Sequence, residues 1–250
     1  MTARPDPWAD LRSLTRARIA LGRAGGSLPT AEWLGFSAAH AAARDAVWAE
    51  LDLDRLDADL GARGLGPSLR LASQAPDRAT YLRRPDLGRR LDAASAARLA
   101  AAAPAGGCDV ALLVGDGLSA GAAQGHAPAL AAALAARLRA RGLALGPVAA
   151  VRQARVAVQD PVGQALGARA AVVLLGERPG LGAPESLGAY LVLGPRPGRT
   201  DAERNCVSNV RPEGMPVEGA ADLLAWLTGE ALWRGLSGVG LKDERGLLGP

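Results

Sequence analysis

Short runs of apolar residues mark the strands in the second half of the chain. Residues 109–115 (DVALLVG) and 170–175 (AAVVLL) are rich in valine and leucine and stop at a glycine, which is typical of strands buried on both faces. Further extended segments are predicted at 146–151, 155–158, 190–193 and 205–210. Helical stretches lie between several of them, including a long one that ends near Arg141 and a last one over 217–235. This alternation predicts an α/β fold with a doubly wound, mostly parallel, Rossmann-like sheet.

The first sixty residues show helical spacing instead. Leucine and isoleucine recur at that spacing between Leu11 and Leu21, which predicts a first helix. Gly25 and the glycine after it interrupt the pattern, and a second helix is predicted over 30–48.

Residues 54–70 are rich in Asp, Gly, Arg and Pro, a composition that predicts a loop or a boundary between subdomains. We therefore expect a helical N-terminal arm over residues 1–70 and a Rossmann-like α/β domain over residues 71–250. The arm either docks on a partner or packs against its own chain, and the sequence supports both interpretations equally.

Composition excludes several classes of protein. The chain has 250 residues, of which 49% are hydrophobic, enough for a core in one or two domains. Its 29 basic and 25 acidic residues are interspersed, so the net charge of +4 gives no basic patch and nucleic-acid binding is disfavoured. No apolar stretch is long enough to be a secretory signal or to cross a membrane. Cys108 and Cys206 form no CxxC pattern, which favours a reduced, cytoplasmic protein with no structural metal site.

The segment directly after the second buried strand is the first candidate for a ligand site. It reads GERPGLG from Gly176 to Gly182, and in open α/β sheets ligands bind beyond the carboxyl ends of the strands. Glu177 and Arg178 are the first side chains past the strand, and the glycines let a ligand approach the backbone. The glycine spacing is G-x-x-x-G-x-G rather than the dinucleotide fingerprint G-x-G-x-x-G, so a dinucleotide-binding oxidoreductase is the alternative function rather than the first.

Two other segments carry candidate chemistry. Asp116, Ser119 and His126 are the residue types of a hydrolase triad. They lie close together along one strand–helix turn that has no G-x-S-x-G motif, however, and Ser119 is better placed as a helix N-cap. Residues 83–90 (RRPDLGRR) could bind acidic groups on a partner through their guanidinium groups, or could be a solvated helix start.

A resemblance extends these interpretations. The matching segments keep one order along the chain: LTRARIALGRAG, HAAARDAV, APDRATYLRRPDLGRRL, VGDGLSA, GHAPAL, RQARVAVQDPVG, LLGERPGLGAPESLGAY and RNCVSNVRPEG. They cover about residues 11–215, and the later SGVGLK also fits. With these motifs the chain resembles the small (light) subunit family of ethanolamine ammonia-lyase, an adenosylcobalamin-dependent enzyme.

The resemblance implies a function, a cofactor and a partner. Enzymes of the family convert ethanolamine to acetaldehyde and ammonia by a radical mechanism that begins with homolysis of the cobalt–carbon bond. The large subunit, a TIM barrel, holds the substrate and most of the residues that handle the radical. The small subunit covers the cobalamin at the interface between the two chains. We therefore expect this chain to carry no catalytic residue of its own and to be inactive without the large subunit.

Three residues carry over as cofactor contacts: Val156, Glu177 and Cys206. Glu177 could accept a hydrogen bond from an amide of the corrin rim, Val156 could supply apolar contact, and the small Cys206 allows close approach. Each also has a structural interpretation: Glu177 as the ion-pair partner of Arg178 or another arginine, Val156 as core, and Cys206 as a small buried apolar residue.

The two histidines of the chain bear on how cobalamin would bind. Neither His40 nor His126 lies in the Asp-x-His-x-x-Gly motif whose histidine replaces the nucleotide base on cobalt, so we expect cobalamin to keep its own base. Longer family members have an N-terminal extension linked to packing into a bacterial microcompartment. Here the shared region begins near Trp8, which favours the free cytosol.

Overall fold

The computed structural model describes residues 6–15 and 17–246. Within them the chain forms six strands, β1 (Leu69–Ala72), β2 (Cys108–Gly115), β3 (Ala149–Arg152), β4 (Ala168–Gly176), β5 (Leu187–Leu193) and β6 (Arg204–Val210). It also forms seven α-helices, α1 (Thr30–Trp48), α2 (Leu53–Gly61), α3 (Arg78–Arg83), α4 (Ala93–Ala102), α5 (Ala120–Ala140), α6 (Gln159–Ala165) and α7 (Val217–Arg234). None of these helices is long and apolar enough to cross a membrane.

All six strands form one mixed sheet in the order β1-β3-β2-β4-β5-β6. The first four strands of that order run parallel, while β5 is antiparallel to both β4 and β6. The α/β class is therefore confirmed, but the doubly wound parallel Rossmann-like sheet is not. The reason is the length of the connections: a parallel pair needs a crossover of a dozen or more residues, usually a helix, and no α-helix lies between β4 and β5 or between β5 and β6.

Alternate residues of the central strands build a core on each face of the sheet. On one face Val110, Leu112 and Val114 of β2 pack with apolar residues of α2, α5 and α7. On the other face Ala111 and Leu113 pack with residues of α4 and α6. Because β2 and β4 are buried on both sides, their sequences are continuous apolar runs rather than alternating ones.

Several local predictions are wrong. Residues 54–70 are not a loop throughout, because α2 occupies 54–61, where it buries Leu56 and Leu60, and β1 begins at Leu69, while the alternative of a subdomain boundary stays a prediction. Residues 155–158 are not extended, because Val156–Val158 form a 3₁₀ turn that leads into α6. The helix expected between Leu11 and Leu21 is a short 3₁₀ helix over Ala9–Ser13.

The predicted helix over 30–48 is confirmed as α1, which buries none of its side chains. Its large apolar residues lie at the surface, with Trp33 57% and Trp48 51% exposed. The division into an arm of residues 1–70 and a domain of residues 71–250 stays a prediction, and residues 1–5, 16 and 247–250 lie outside the described part of the chain.

Candidate functional site

Two of the three predicted cofactor contacts line one open cleft. The cleft has a volume of about 400 Å³ and is lined by both Val156 and Cys206. Its remaining lining residues come from the segment before β2, from the turn that enters α6, from β5 and β6, and from the 3₁₀ turn before β6: Pro85, Arg89, Arg155, Ala157, Tyr190, Asp201 and Arg204. Residues 50 positions apart in sequence therefore meet across one opening.

The floor of this cleft is the uncovered face of β5 and β6. Tyr190 and Cys206 are directly paired across the two antiparallel strands, which places their side chains on the same face. That face carries α6 over β4 and β2, whereas Cys206 is exposed to solvent. Cys206 therefore lines an open cleft and is not the small buried apolar residue of its structural interpretation.

Glu177 lies beside this floor rather than in the cleft itself. It follows the last residue of β4 and folds over Gly188 of β5. A Cβ on Gly188 would lie 2.9 Å from Oε1 of Glu177 and 3.2 Å from Cε2 of Tyr190. Because residue 188 is a glycine, the Glu177 carboxylate and the Tyr190 ring can both pack over its Cα. Glu177, Tyr190 and Cys206 therefore form one continuous surface.

One oxygen of the Glu177 carboxylate accepts hydrogen bonds from the described part of the chain, and the other does not. Its Oε2 accepts hydrogen bonds from the Ser186 hydroxyl and from the backbone N–H of Asn209, the latter at 3.2 Å. Among the described residues Oε1 accepts no hydrogen bond and no arginine forms an ion pair with Glu177. The ion-pair interpretation of Glu177 is thus not observed, and a fixed carboxylate oxygen remains available to a donor.

A buried ion pair joins the two walls of the cleft. Arg204, at the start of β6, donates two hydrogen bonds to Asp160 in α6, at 2.9 and 2.7 Å, and both side chains are only 3% exposed. This bidentate geometry is the strongest arrangement of its kind, and it fixes the turn that carries Val156 against the strand that carries Cys206.

Buried Asp116 positions the segment that leads to Val156. One carboxylate oxygen accepts the backbone N–H of Gln153 at 2.8 Å and the other accepts that of Ala154 at 2.9 Å. Gln153 has a φ of 54°, in the left-handed region that is unusual for a residue other than glycine. These contacts turn the chain after β3 and explain why the apolar segment around Val156 is half-buried beside the cleft instead of continuing as a strand.

The titratable groups on the floor stay neutral near pH 7. Although Cys206 is exposed, partial desolvation of its thiol raises the pKa, the contact with Tyr190 lowers it, and the nearby Glu177 charge raises it further. Burial also raises the pKa of the Tyr190 hydroxyl, again reinforced by its neighbours Cys206 and Glu177. The floor therefore offers a thiol and a phenol that can donate hydrogen bonds, beside a carboxylate that can accept them.

The other sequence candidates have structural roles. Ser119 is the N-cap of α5, as predicted, and its hydroxyl donates to the carbonyl oxygen of Pro184 at 3.0 Å. Asp116 is occupied by backbone donors, so no triad forms with His126. Gly176 is required by packing rather than by a ligand, because a Cβ there would lie 1.9 Å from the carbonyl oxygen of Ser119.

The dinucleotide-binding alternative lacks its central element. A dinucleotide fingerprint places the pyrophosphate at the N-terminus of a helix that follows the strand. Here β4 is followed by the loop 177–186 and then by antiparallel β5, with no helix between them. The GERPGLG segment therefore offers no helix N-terminus to a pyrophosphate.

Tyr190, Arg155 and the Asp160–Arg204 pair are parts of the site that the sequence did not reveal. Tyr190 lies in an apolar strand, a position that is typical of a core residue. The two partners of the ion pair are 44 residues apart in sequence. One signal was present: an arginine at the inward-facing start of a short strand needs a carboxylate partner, because an unpaired buried charge is costly.

Comparisons with known proteins identify relatives over almost the whole chain. A family model described as "Ethanolamine ammonia-lyase light chain (EutC)" matches residues 5–242. The chain is 55% identical over 244 residues to the ethanolamine ammonia-lyase small subunit of Azotobacter vinelandii, an alignment covering 97% of this chain and 90% of that protein. The corresponding subunit of Ralstonia nicotianae is 56% identical, with the same coverage of both proteins. That of Bradyrhizobium diazoefficiens is 55% identical, covering 95% of this chain and 91% of the relative.

Proposed function

The chain belongs to the family of ethanolamine ammonia-lyase light chains, and on that premise we propose that it is the small subunit of an adenosylcobalamin-dependent ethanolamine ammonia-lyase. In this role it supplies one face of the cobalamin site, and a large subunit supplies the other face and the substrate pocket. The complex converts ethanolamine to acetaldehyde and ammonia. Bound adenosylcobalamin supplies a weak cobalt–carbon bond, and hence the radical that this reaction requires.

One observation carries the proposal: Val156, Glu177 and Cys206, which are far apart in sequence, lie along one open surface. Val156 and Cys206 line the same cleft, and Glu177 meets the ring of Tyr190 above Gly188 on the adjoining floor. A scattered arrangement of the three residues would have left the cofactor role without structural support.

The chemistry of this surface fits a corrin. A corrin is broad and flat with a rim of neutral amides, so it needs an open face bearing both donors and acceptors rather than a closed pocket. The free Oε1 of Glu177 can accept an amide N–H, and the half-buried Val156 offers apolar contact. Cys206 is small and exposed, and partial desolvation raises the pKa of its thiol, which favours close approach without reaction.

The lining of the cleft also supports binding with the nucleotide base still on cobalt. Within residues 6–15 and 17–246, the lining of the cleft contains no histidine, and His126 lines a different cavity. This chain therefore offers no imidazole at the cleft that could take the place of the cofactor's own base.

The N-terminal arm is the part of this chain that we expect the large subunit to cover. Helix α1 buries no side chain in its own chain, and Trp33, Phe36 and Trp48 are all exposed. Several large apolar side chains exposed along one helix are typical of a protein interface. Trp33→Ser should weaken association with the large subunit without unfolding the chain, and unchanged association would contradict this assignment.

Reconstitution tests the proposed function. The purified chain should show no turnover of ethanolamine with adenosylcobalamin, and activity should appear when the large subunit from the same organism is added. Turnover by the chain alone, or equal turnover by the large subunit alone, would refute the proposal. Function in the cytosol rather than in a microcompartment stays a prediction that cell fractionation would test.

A further inference from the structure

A second cleft adjoins the first. It has a volume of about 560 Å³ and lies where α4, α6 and the loop after β5 come together. The two clefts share Arg89 and Ala157 as lining residues, so these residues form a common wall. The edge of a ligand bound on the Tyr190–Cys206 floor would therefore lie next to this wall, on the side that carries Arg89.

The wall carries positive charge from three arginines. Arg89, Arg90 and Arg155 form no ion pair within the described residues. Of the two carboxylates that line these clefts, Asp160 is engaged by Arg204, and the exposed Asp201 lies 3.6 Å from the same guanidinium rather than beside Arg89 or Arg155. Uncompensated arginines grouped at a cavity are typical of a site for an anion.

Arg155 is held rigidly in this wall. Its guanidinium stacks on the Tyr81 ring at 4.3 Å, and its backbone N–H donates to the carbonyl oxygen of Gly88 at 2.8 Å. A Cβ on Gly88 would lie 2.7 Å from Cγ of Arg155, so glycine there makes room for the side chain. The buried Nε of Arg155 has no hydrogen-bond partner. Its Nη2 donates to the carbonyl oxygen of Tyr81 at 3.3 Å. A cation held in place by such contacts loses little side-chain entropy on binding a ligand.

From these contacts we infer that Arg89 and Arg155 bind the phosphodiester of the cobalamin nucleotide tail, an inference that rests on the proposed function. The corrin rim carries neutral amides, and the phosphodiester is the anion of the nucleotide tail. Arginine matches a phosphate better than a point charge does, because its donors form a planar fork. The Tyr190–Cys206 floor and the basic wall thus recognise two different parts of one cofactor.

Cobinamide, which has the corrin but lacks the nucleotide tail, separates the two parts in an experiment. The complex of this chain with the large subunit is titrated with cobalamin and with cobinamide, and binding is followed by the corrin absorption spectrum. Arg89→Gln should weaken cobalamin about tenfold or more, as expected for loss of a charge-assisted hydrogen bond, and change cobinamide less than about twofold. Arg155→Gln should act in the same way.

Arg84→Gln is the matched control. Arg84 lies in the same segment, pairs with Asp86 at 2.7 Å, and lines neither cleft, so its replacement should leave both affinities unchanged. Arg89 is exposed, so its replacement tests the inference even if the stacked Arg155 proves necessary for folding.

The remaining outcomes overturn the inference. If Arg89→Gln weakens both ligands equally, or neither, the arginines do not recognise the tail. If it weakens subunit association instead, they bind acidic groups of the large subunit. If the wild-type complex binds neither cobalamin nor cobinamide, the proposed function fails and the inference fails with it.

Discussion

The carboxylate of Asp160 and the guanidinium of Arg204 form a two-fold hydrogen-bonded ion pair beneath the cleft, with both side chains 3% exposed. The pair joins α6 to β6 and thereby holds Val156 and Cys206 on opposite sides of one opening. The geometry of the proposed cofactor surface therefore depends on a contact that touches no cofactor.

Asp160→Asn should destabilise the chain strongly, because it leaves the Arg204 charge buried without its counter-ion. Removing one partner of a buried ion pair costs about 3–5 kcal/mol. The free energy of unfolding from denaturant titration measures this loss. Asp222→Asn is the control, because Asp222 pairs with Arg137 at the surface, where such pairs contribute little. Equal losses in the two variants would contradict the structural role of the buried pair.

Glu177→Gln should weaken cobalamin binding to the two-subunit complex about tenfold without changing the stability of the fold. The amide oxygen of glutamine can still accept from Ser186 and Asn209, so the local structure should persist, while the free carboxylate oxygen is lost. Glu185→Gln, in the same loop but outside the cleft, should have no effect. Unchanged cobalamin affinity for Glu177→Gln would show that Glu177 has a structural role only.

Alkylation of Cys206 should report occupancy of the cleft. The side chain is exposed, so iodoacetamide should label it in the free chain, and bound cobalamin in the complex should protect it beyond the effect of the large subunit alone. Because partial desolvation raises the pKa of the thiol, labelling should be slow at pH 7 and should accelerate above ~8.5, the ordinary thiol pKa. Buried Cys108 is the internal control. Equal labelling of Cys206 with and without cobalamin would contradict its position under the corrin.

Acid should weaken the loop that leads into β6. The Thr200 N–H, together with Arg199 and the Thr200 hydroxyl, lowers the pKa of Glu203 to about 2. This folded-state pKa of Glu203 lies below the unfolded-state value of about 4.3. The contribution of the Glu203 carboxylate to the free energy of unfolding is therefore complete above that pH and is lost as the pH falls toward 2. Glu203→Gln should therefore reduce the loss of unfolding free energy across that range, relative to Glu185→Gln. Identical acid profiles for wild type and Glu203→Gln would contradict this role.

The buried strands were predictable from the sequence, and the direction of the edge strands was not. Continuous apolar runs placed β2 and β4 to within two residues, because strands covered on both faces leave no polar positions. The run 156–158 is equally apolar, but Asp116 binds the backbone of Gln153 across 37 residues, and the segment after it forms a helical turn. Local pattern contains no information about such a distant contact.

The candidate site, too, was predictable from the sequence only in part. Glu177 was a candidate from its position after a buried strand, whereas Val156 and Cys206 came from family resemblance, since a valine and a lone cysteine are individually ordinary. What sequence could not show is the surface that joins them, which depends on β5 running antiparallel to β4 and β6 and on the room left by Gly188. Arg155 and Arg89 form a common basic wall only because Arg155 packs on the residue that precedes Arg89.

A structure of the two-subunit complex with cobalamin shows directly whether the corrin lies against the surface that carries Glu177 and Cys206. The deciding distances run from the corrin to the Sγ of Cys206 and from the corrin amides to the free Oε1 of Glu177. We expect van der Waals contact at Cys206, within about 4 Å, and a hydrogen bond of about 3 Å at Glu177. A corrin held wholly by the large subunit, with Cys206 and Glu177 open to solvent, would contradict the proposed role of this chain.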